Sequence, residues 1–155
     1  LSIRAALTWL ETKVVGIDYW AAVYNYSQAL CEKNAVSEGA GDRCTFCRGD
    51  ANKLDFPDGS FDAVVSNYVY HNITGADKQQ LLLETLRVLK KGGVFALNDE
   101  MKPGMYGDME AFAQKLRDMG YEEVRLIDTA KEVFGSHRRA AMMMLGASRM
   151  LVGRK

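Results

Sequence analysis

Three short stretches carry residues able to hold a small molecule. Gly49-Asp50-Ala51 sets a carboxylate behind an apolar segment, and Leu54-Asp55-Phe56-Pro57 follows as a short loop. Phe61-Asp62-Ala63-Val64-Val65-Ser66-Asn67-Tyr68 then reads as a buried strand that opens into a polar and aromatic tip. Ligands of open α/β sheets bind outside the carboxyl ends of strands. Two strand ends with polar residues, this close in sequence, point to a small-molecule cleft rather than a plain core.

The elements that must position these residues alternate between two periodicities. Residues 1–10 read as a helix with Ile3, Leu7 and Leu10 on one face. Residues 13–17 form a short β-branched run that ends at Asp18, as a buried parallel strand does. A helix is expected over residues 20–37, with Ala22, Tyr26, Ala29, Leu30 and Lys33 at helical spacing and glycines 39 and 41 to stop it. Strands follow at 43–48 and 61–66, with a Pro57-Asp58-Gly59 turn between them. Residues 77–89 carry Leu81, Leu82, Thr85, Leu86 and Leu89 on one helical face, and Lys90, Lys91, Gly92 and Gly93 read as its end. A strand at 94–97 opens into Asn98-Asp99-Glu100; a helix at 109–119 and strands at 121–127 and 148–152 complete the pattern. Residues 133–146 receive no assignment. Strands alternating with helices predict an α/β fold with a mostly parallel sheet. The sparse helix between the last two strands makes an antiparallel ending plausible.

Composition narrows the function classes. At 155 residues the chain is long enough for one domain with a substantial core. Lys plus Arg (20) equals Asp plus Glu (20), so no net field draws it to nucleic acid or to an anionic membrane. The longest apolar run, residues 140–145, follows two arginines and is far too short to span a bilayer. Cys44 and Cys47 make a Cys-x-x-Cys, but strand-like Thr45 and Phe46 put them on opposite faces, and no second Cys/His pair follows at zinc spacing. The three cysteines, with Cys31, therefore read as reduced thiols, and no metal is expected; that fits a cytoplasmic compartment.

Four stretches in this order, Val15-Gly16-Ile17-Asp18, Gly49-Asp50-Ala51, Phe61 to Asn67 and Leu86-Arg87-Val88-Leu89-Lys90-Lys91-Gly92-Gly93, resemble a class I S-adenosylmethionine-dependent methyltransferase. The resemblance spans nearly the whole chain and is strongest between Lys13 and Asp99. It implies a Rossmann-like, doubly wound sheet with an antiparallel last strand and S-adenosylmethionine as cofactor. The reaction implied is in-line displacement of a methyl group onto a small-molecule acceptor. Asp18 would then accept from the ribose hydroxyls, Tyr19 and Trp20 would pack against adenine, Asp50 and the Ala51 amide would take the adenine edge, and Asn67 and Tyr68 would face the methionine end. Asp62 begins its strand and is read as structural. The glycine-rich loop and first central strand of the family are missing before Asp18, so upstream residues are expected; Gly39-Ala40-Gly41 sits on the wrong edge to replace them.

A general base is needed only if the acceptor must lose a proton. His71, Tyr70, Asp99 and Glu100 lie beyond strand ends, and His71 corresponds to a histidine frequent in the family at this place. His137 falls in the unassigned region, and residues 101–106 read equally as a lid or a connector. Two rivals stand beside this reading: a non-catalytic binding subunit of the same fold, and a nicotinamide-dependent oxidoreductase. The second normally shows Tyr-x-x-x-Lys, and none of the seven tyrosines has a lysine four residues on.

Overall fold

The computed structural model describes residues 1–20 and 27–155. The chain falls into two compact units, Leu1–Lys53 and Leu54–Lys155. In the first, α1 (Ser2–Thr8) precedes β1 (Val14–Asp18), and α2 (Gln28–Ser37) precedes β2 (Cys44–Arg48). The helix expected over 20–37 is described only from Gln28, where Ser27 accepts from the Leu30 amide as its cap; Ala22 and Tyr26 lie outside the described residues. β1 and β2 pair in parallel, Val14 opposite Cys44 through to Asp18 opposite Arg48. The close approach is paid for with glycine: a Cβ on Gly16 would stand 2.7 Å from the Phe46 ring.

The second unit holds β3 (Phe61–Asn67), α3 (Lys78–Arg87), β4 (Leu89–Glu100), α4 (Pro103–Tyr106), α5 (Met109–Asp118), β5 (Glu122–Ile127), α6 (Thr129–Phe134), α7 (His137–Met142) and β6 (Ser148–Arg154). Its sheet runs β3-β4-β6-β5, with β3 parallel to β4 and β6 antiparallel to both neighbours. The α/β class and the antiparallel last strand are thus as the sequence predicts. Among the described residues β1 pairs only with β2, and β3 only with β4.

Helices α3 and α5 form where cap and periodicity agree. Asp77 accepts from the Gln79 and Gln80 amides, and Leu81, Leu82, Thr85 and Leu86 are buried behind it. Asp108 caps α5, which buries Met109, Phe112, Ala113 and Leu116. One boundary differs. The Lys-Lys-Gly-Gly run does not end α3 but lies inside β4, which already pairs Leu89 with Phe61 and resumes at Val94 opposite Ala63. Three extra residues bulge out on β4, Gly92 turns at φ +80°, and a Cβ on Gly93 would stand 2.8 Å from the Asp62 carbonyl. Lys90 reaches from this bulge to Asp62 at 2.8 Å, which suits the structural reading of Asp62.

Arg87, which the sequence marks only as part of a motif, clamps the loop before β3. Its guanidinium donates to the Leu54 and Phe56 carbonyls at 2.9 and 2.8 Å, to Asp58 at 2.7 Å and to both oxygens of Glu84. Glu84 in turn accepts from the Leu54 amide at 2.7 Å. The two carboxylates hold the Arg87 cation even more firmly charged than usual. Residues 54–58 are therefore a pinned loop.

Candidate functional site

In the first unit, Asp18 is the last residue of β1, and Asp50 lies two residues past the end of β2. Both leave the carboxyl rim of the same parallel pair. The Gly49 amide donates to the Asp18 carbonyl at 3.0 Å and ties the two strand ends together. A Cβ on Gly49 would stand 2.5 Å from Ile17 Cγ2, so only glycine allows that approach.

Each carboxylate is also engaged locally. Asp18 accepts from the Trp20 amide at 2.8 Å. Asp50 is exposed; its Oδ1 accepts from the Asn52 amide and side chain at 2.9 and 2.7 Å, chiefly the former holding its carboxyl below the ordinary range. Asp50 Oδ2 and the Ala51 amide have no partner among the described residues. An acceptor and a donor thus stand side by side on the rim.

The two aromatics differ from a ready stacking pair. Arg48 lies over the Tyr19 ring at 4.7 Å from its centroid and takes one face of it. Trp20 adopts φ +45°, rare for a residue with a Cβ, and its indole N–H is buried with no partner among the described residues.

In the second unit, the ends of β3 and β4 carry a connected set of polar groups. Asn67 pairs with Asn98 in the β3–β4 register, and the Asn98 amide donates to Asn67 Oδ1 at 2.8 Å. Thr129 donates to Asn98 Oδ1 at 3.0 Å and meets Ser148 at 2.8 Å; Ser148 meets the Tyr68 hydroxyl at 2.6 Å. Tyr68 holds φ +55°, with its amide on the Asn98 carbonyl at 2.9 Å. The chain of hydroxyls and amides fixes this left-handed turn, which aims the following residues across the strand ends.

The next turn, Tyr70–Asn72, delivers His71 to Asp99. Asp99 is fully buried. Its Oδ2 accepts from the Tyr70 and His71 amides at 2.8 and 3.3 Å; its Oδ1 accepts from the Glu100 amide at 2.7 Å and meets His71 Nδ1 at 2.5 Å. A carboxylate accepts only, so Nδ1 carries a proton, and in the neutral ring Nε2 is the nitrogen with the lone pair. The His71 side chain is 31% exposed, and its Nε2 has no partner among the described residues.

Of the four base candidates, only His71 keeps a basic atom open. Asp99 is sealed in beneath it, and Glu100 is buried with Oε1 on the Ala147 amide at 2.9 Å. Tyr70 is buried with its hydroxyl on Thr85 at 2.8 Å, and burial pushes its phenol up. His137 is spent on Asp128 and the Gly146 carbonyl, at 2.9 and 3.0 Å. Residues 101–106 are anchored at both ends: Met101 and Tyr106 are buried, and Gln79 holds the Tyr106 carbonyl at 2.8 Å. Sequence reasoning missed the pairing of His71 with Asp99, which only the β3–β4 register reveals.

Strands alternate with helices in both units, the α/β pattern of a Rossmann-like fold. Residues 2–97 match the family described as "Methyltransferase domain", and the chain belongs to it. A sterol 24-C-methyltransferase of Aspergillus fumigatus is 27% identical over 114 residues, covering 74% of this chain and 29% of that protein. The chain spans between 21% and 38% of the length of the first three curated relatives it matches. A solved geranyl diphosphate methyltransferase in complex with SAM superposes with a TM-score of 0.70 at 13% identity, covering 98% of this chain and 72% of that one. The solved [4+2]-cyclase SpnF gives a TM-score of 0.67 at 20% identity, covering 99% of this chain and 70% of that one. At these identities the two structures establish the fold.

Proposed function

We propose that this chain is the S-adenosylmethionine-binding, methyl-transferring domain of a small-molecule methyltransferase. The observation that carries the reading is the pair Asp18 and Asp50, on the carboxyl rim of one parallel pair and joined by the Gly49 to Asp18 hydrogen bond. The fit is chemical. An adenine edge offers an amino donor beside a ring-nitrogen acceptor, and Asp50 Oδ2 beside the Ala51 amide is its complement. Asp18 would take the ribose hydroxyls, Tyr19 would offer its face away from Arg48, and Trp20 would wall the base.

Bound S-adenosylmethionine supplies a methyl group on a sulfonium, a good leaving group. What the chain adds is position and proton removal. His71 Nε2 accepts the proton that the acceptor's nucleophile loses. Asp99 holds the ring in the tautomer that leaves Nε2 basic, and it stabilises the imidazolium that results. The acceptor is therefore a small molecule with a proton to give, such as a hydroxyl or an acidified C–H. The relatives named for a sterol and for geranyl diphosphate support a largely apolar one.

A second reading keeps the fold and drops the methyl transfer, since a fold does not by itself fix an activity. Calorimetry on the full-length protein separates the possibilities. Micromolar binding of S-adenosylmethionine is expected. Binding of NAD instead, or of neither, overturns the proposal.

A further inference from the structure

The segment between β5 and β6 carries the most exposed apolar side chains of the second unit. Val133 is 71% exposed, Met142 81%, Met143 65% and Met144 82%. They do not belong to a loose tail. Ala140 is fully buried and anchors α7, the Ser136 hydroxyl accepts from the Arg139 amide, and His137 is held by Asp128 and the Gly146 carbonyl. The Met143, Met144 and Leu145 amides donate back to carbonyls of Ala140 and Ala141. Met144 takes φ +61°, a conformation glycine adopts without strain, yet a large apolar residue occupies it. The turn after α7 is thus hydrogen-bonded to it, while the methionine side chains stay exposed. Soluble surfaces rarely group apolar side chains this way without a use for them.

Charge indicates the use. In a chain of zero net charge, residues 129–149 carry Lys131, Arg138, Arg139 and Arg149 against Glu132, a local excess of three positive charges. Arg138 and Arg139 are exposed and stand two alanines before the methionine run. Unbranched, polarizable methionines beside arginines suit a soft surface with negative headgroups. Six residues of α7 are too few to fill a partner's groove as an amphipathic helix would, but enough for shallow insertion. Both ends of the segment touch the candidate site: Thr129 bonds Asn98, and Ser148 bonds Tyr68. A surface docked here would deliver an apolar acceptor to the ends of β3 and β4.

We propose that Val133 and Met142, Met143 and Met144, with Arg138 and Arg139, dock this domain onto an anionic lipid bilayer. The test is co-sedimentation of the full-length protein with phosphatidylcholine vesicles, with and without phosphatidylglycerol. Wild type, M142S/M143S/M144S and R138Q/R139Q are compared, each verified as folded by its thermal transition. Binding should require phosphatidylglycerol and weaken with salt, and each variant should lose about tenfold or more in affinity. Equal binding by wild type and both variants overturns the proposal, as does equal binding to neutral vesicles. A wild-type dimer that the serine variant dissolves, with no vesicle binding, assigns the face to a second copy instead.

Discussion

Replacing Asp99 with Asn separates the proposed positioning role from simple packing. Four N–H groups converge on the carboxylate: the Tyr70 and His71 amides on Oδ2, the Glu100 amide and His71 Nδ1 on Oδ1. Asparagine offers one accepting oxygen and one donating NH2. With the oxygen at Oδ2, the NH2 faces the Glu100 amide, and His71 Nδ1 must give up its proton to accept. With the oxygen at Oδ1, the NH2 faces two backbone donors. Either way at least one buried donor is left unpaired, which costs about 1–3 kcal/mol. The first arrangement keeps more bonds and moves the imidazole proton to Nε2. His71 would then lose its basic atom, and methyl transfer would fall by roughly 10²–10⁴-fold. Nitrogen-15 NMR of the ring reads the tautomer directly; with two histidines in the sequence, H71Q assigns the signals. Urea denaturation reads the stability. A D99N protein with the Nδ1–H tautomer and wild-type stability would refute the reasoning.

Three further outcomes follow from the same structure. R87M should lower the urea midpoint, because the loop at 54–58 loses its charge-assisted bonds and Glu84 loses its cation; an unchanged midpoint would contradict the clamp. Burial first, then the Asp99 charge, raises the Tyr106 phenol in the folded state. Its contribution is intact below the unfolded phenol value and declines above about pH 10, where the unfolded chain ionises and the folded one resists, by up to about 1.4 kcal/mol per pH unit. Y106F, which removes a hydroxyl buried beside Asp99, should unfold later than wild type in an alkaline titration. G16A should lower stability by about 1–3 kcal/mol, since the new Cβ meets the Phe46 ring; an unchanged melting curve would show that β1 and β2 can move apart freely.

Elements are legible in this sequence where two local signals agree. Asp77 and Asp108 cap periodic apolar faces, so α3 and α5 follow directly. The start of β4 is not legible, because Gly92-Gly93 serves a helix stop and a strand bulge equally well, and burial of Val88 and Leu89 decides for the strand. Helices α6 and α7, six residues each, are too short for periodicity to register, and their outward face carries apolar residues. Asp18 and Asp50 are legible as strand-end acids, but their local bonds to Trp20 and Asn52 are not. His71 and Asp99 stand 28 residues apart and meet only because Asn67 lies opposite Asn98. Arg87 is hidden for a similar reason, its partners lying across a loop.

Asp18 and Asp50 are proposed to grip one adenosine. Titration calorimetry of the full-length protein with S-adenosylmethionine tests it, comparing wild type with D18A and D50A. Each substitution removes charge-assisted hydrogen bonds and should weaken binding by about tenfold or more, with the fold retained. Wild-type affinity in both variants would contradict the account.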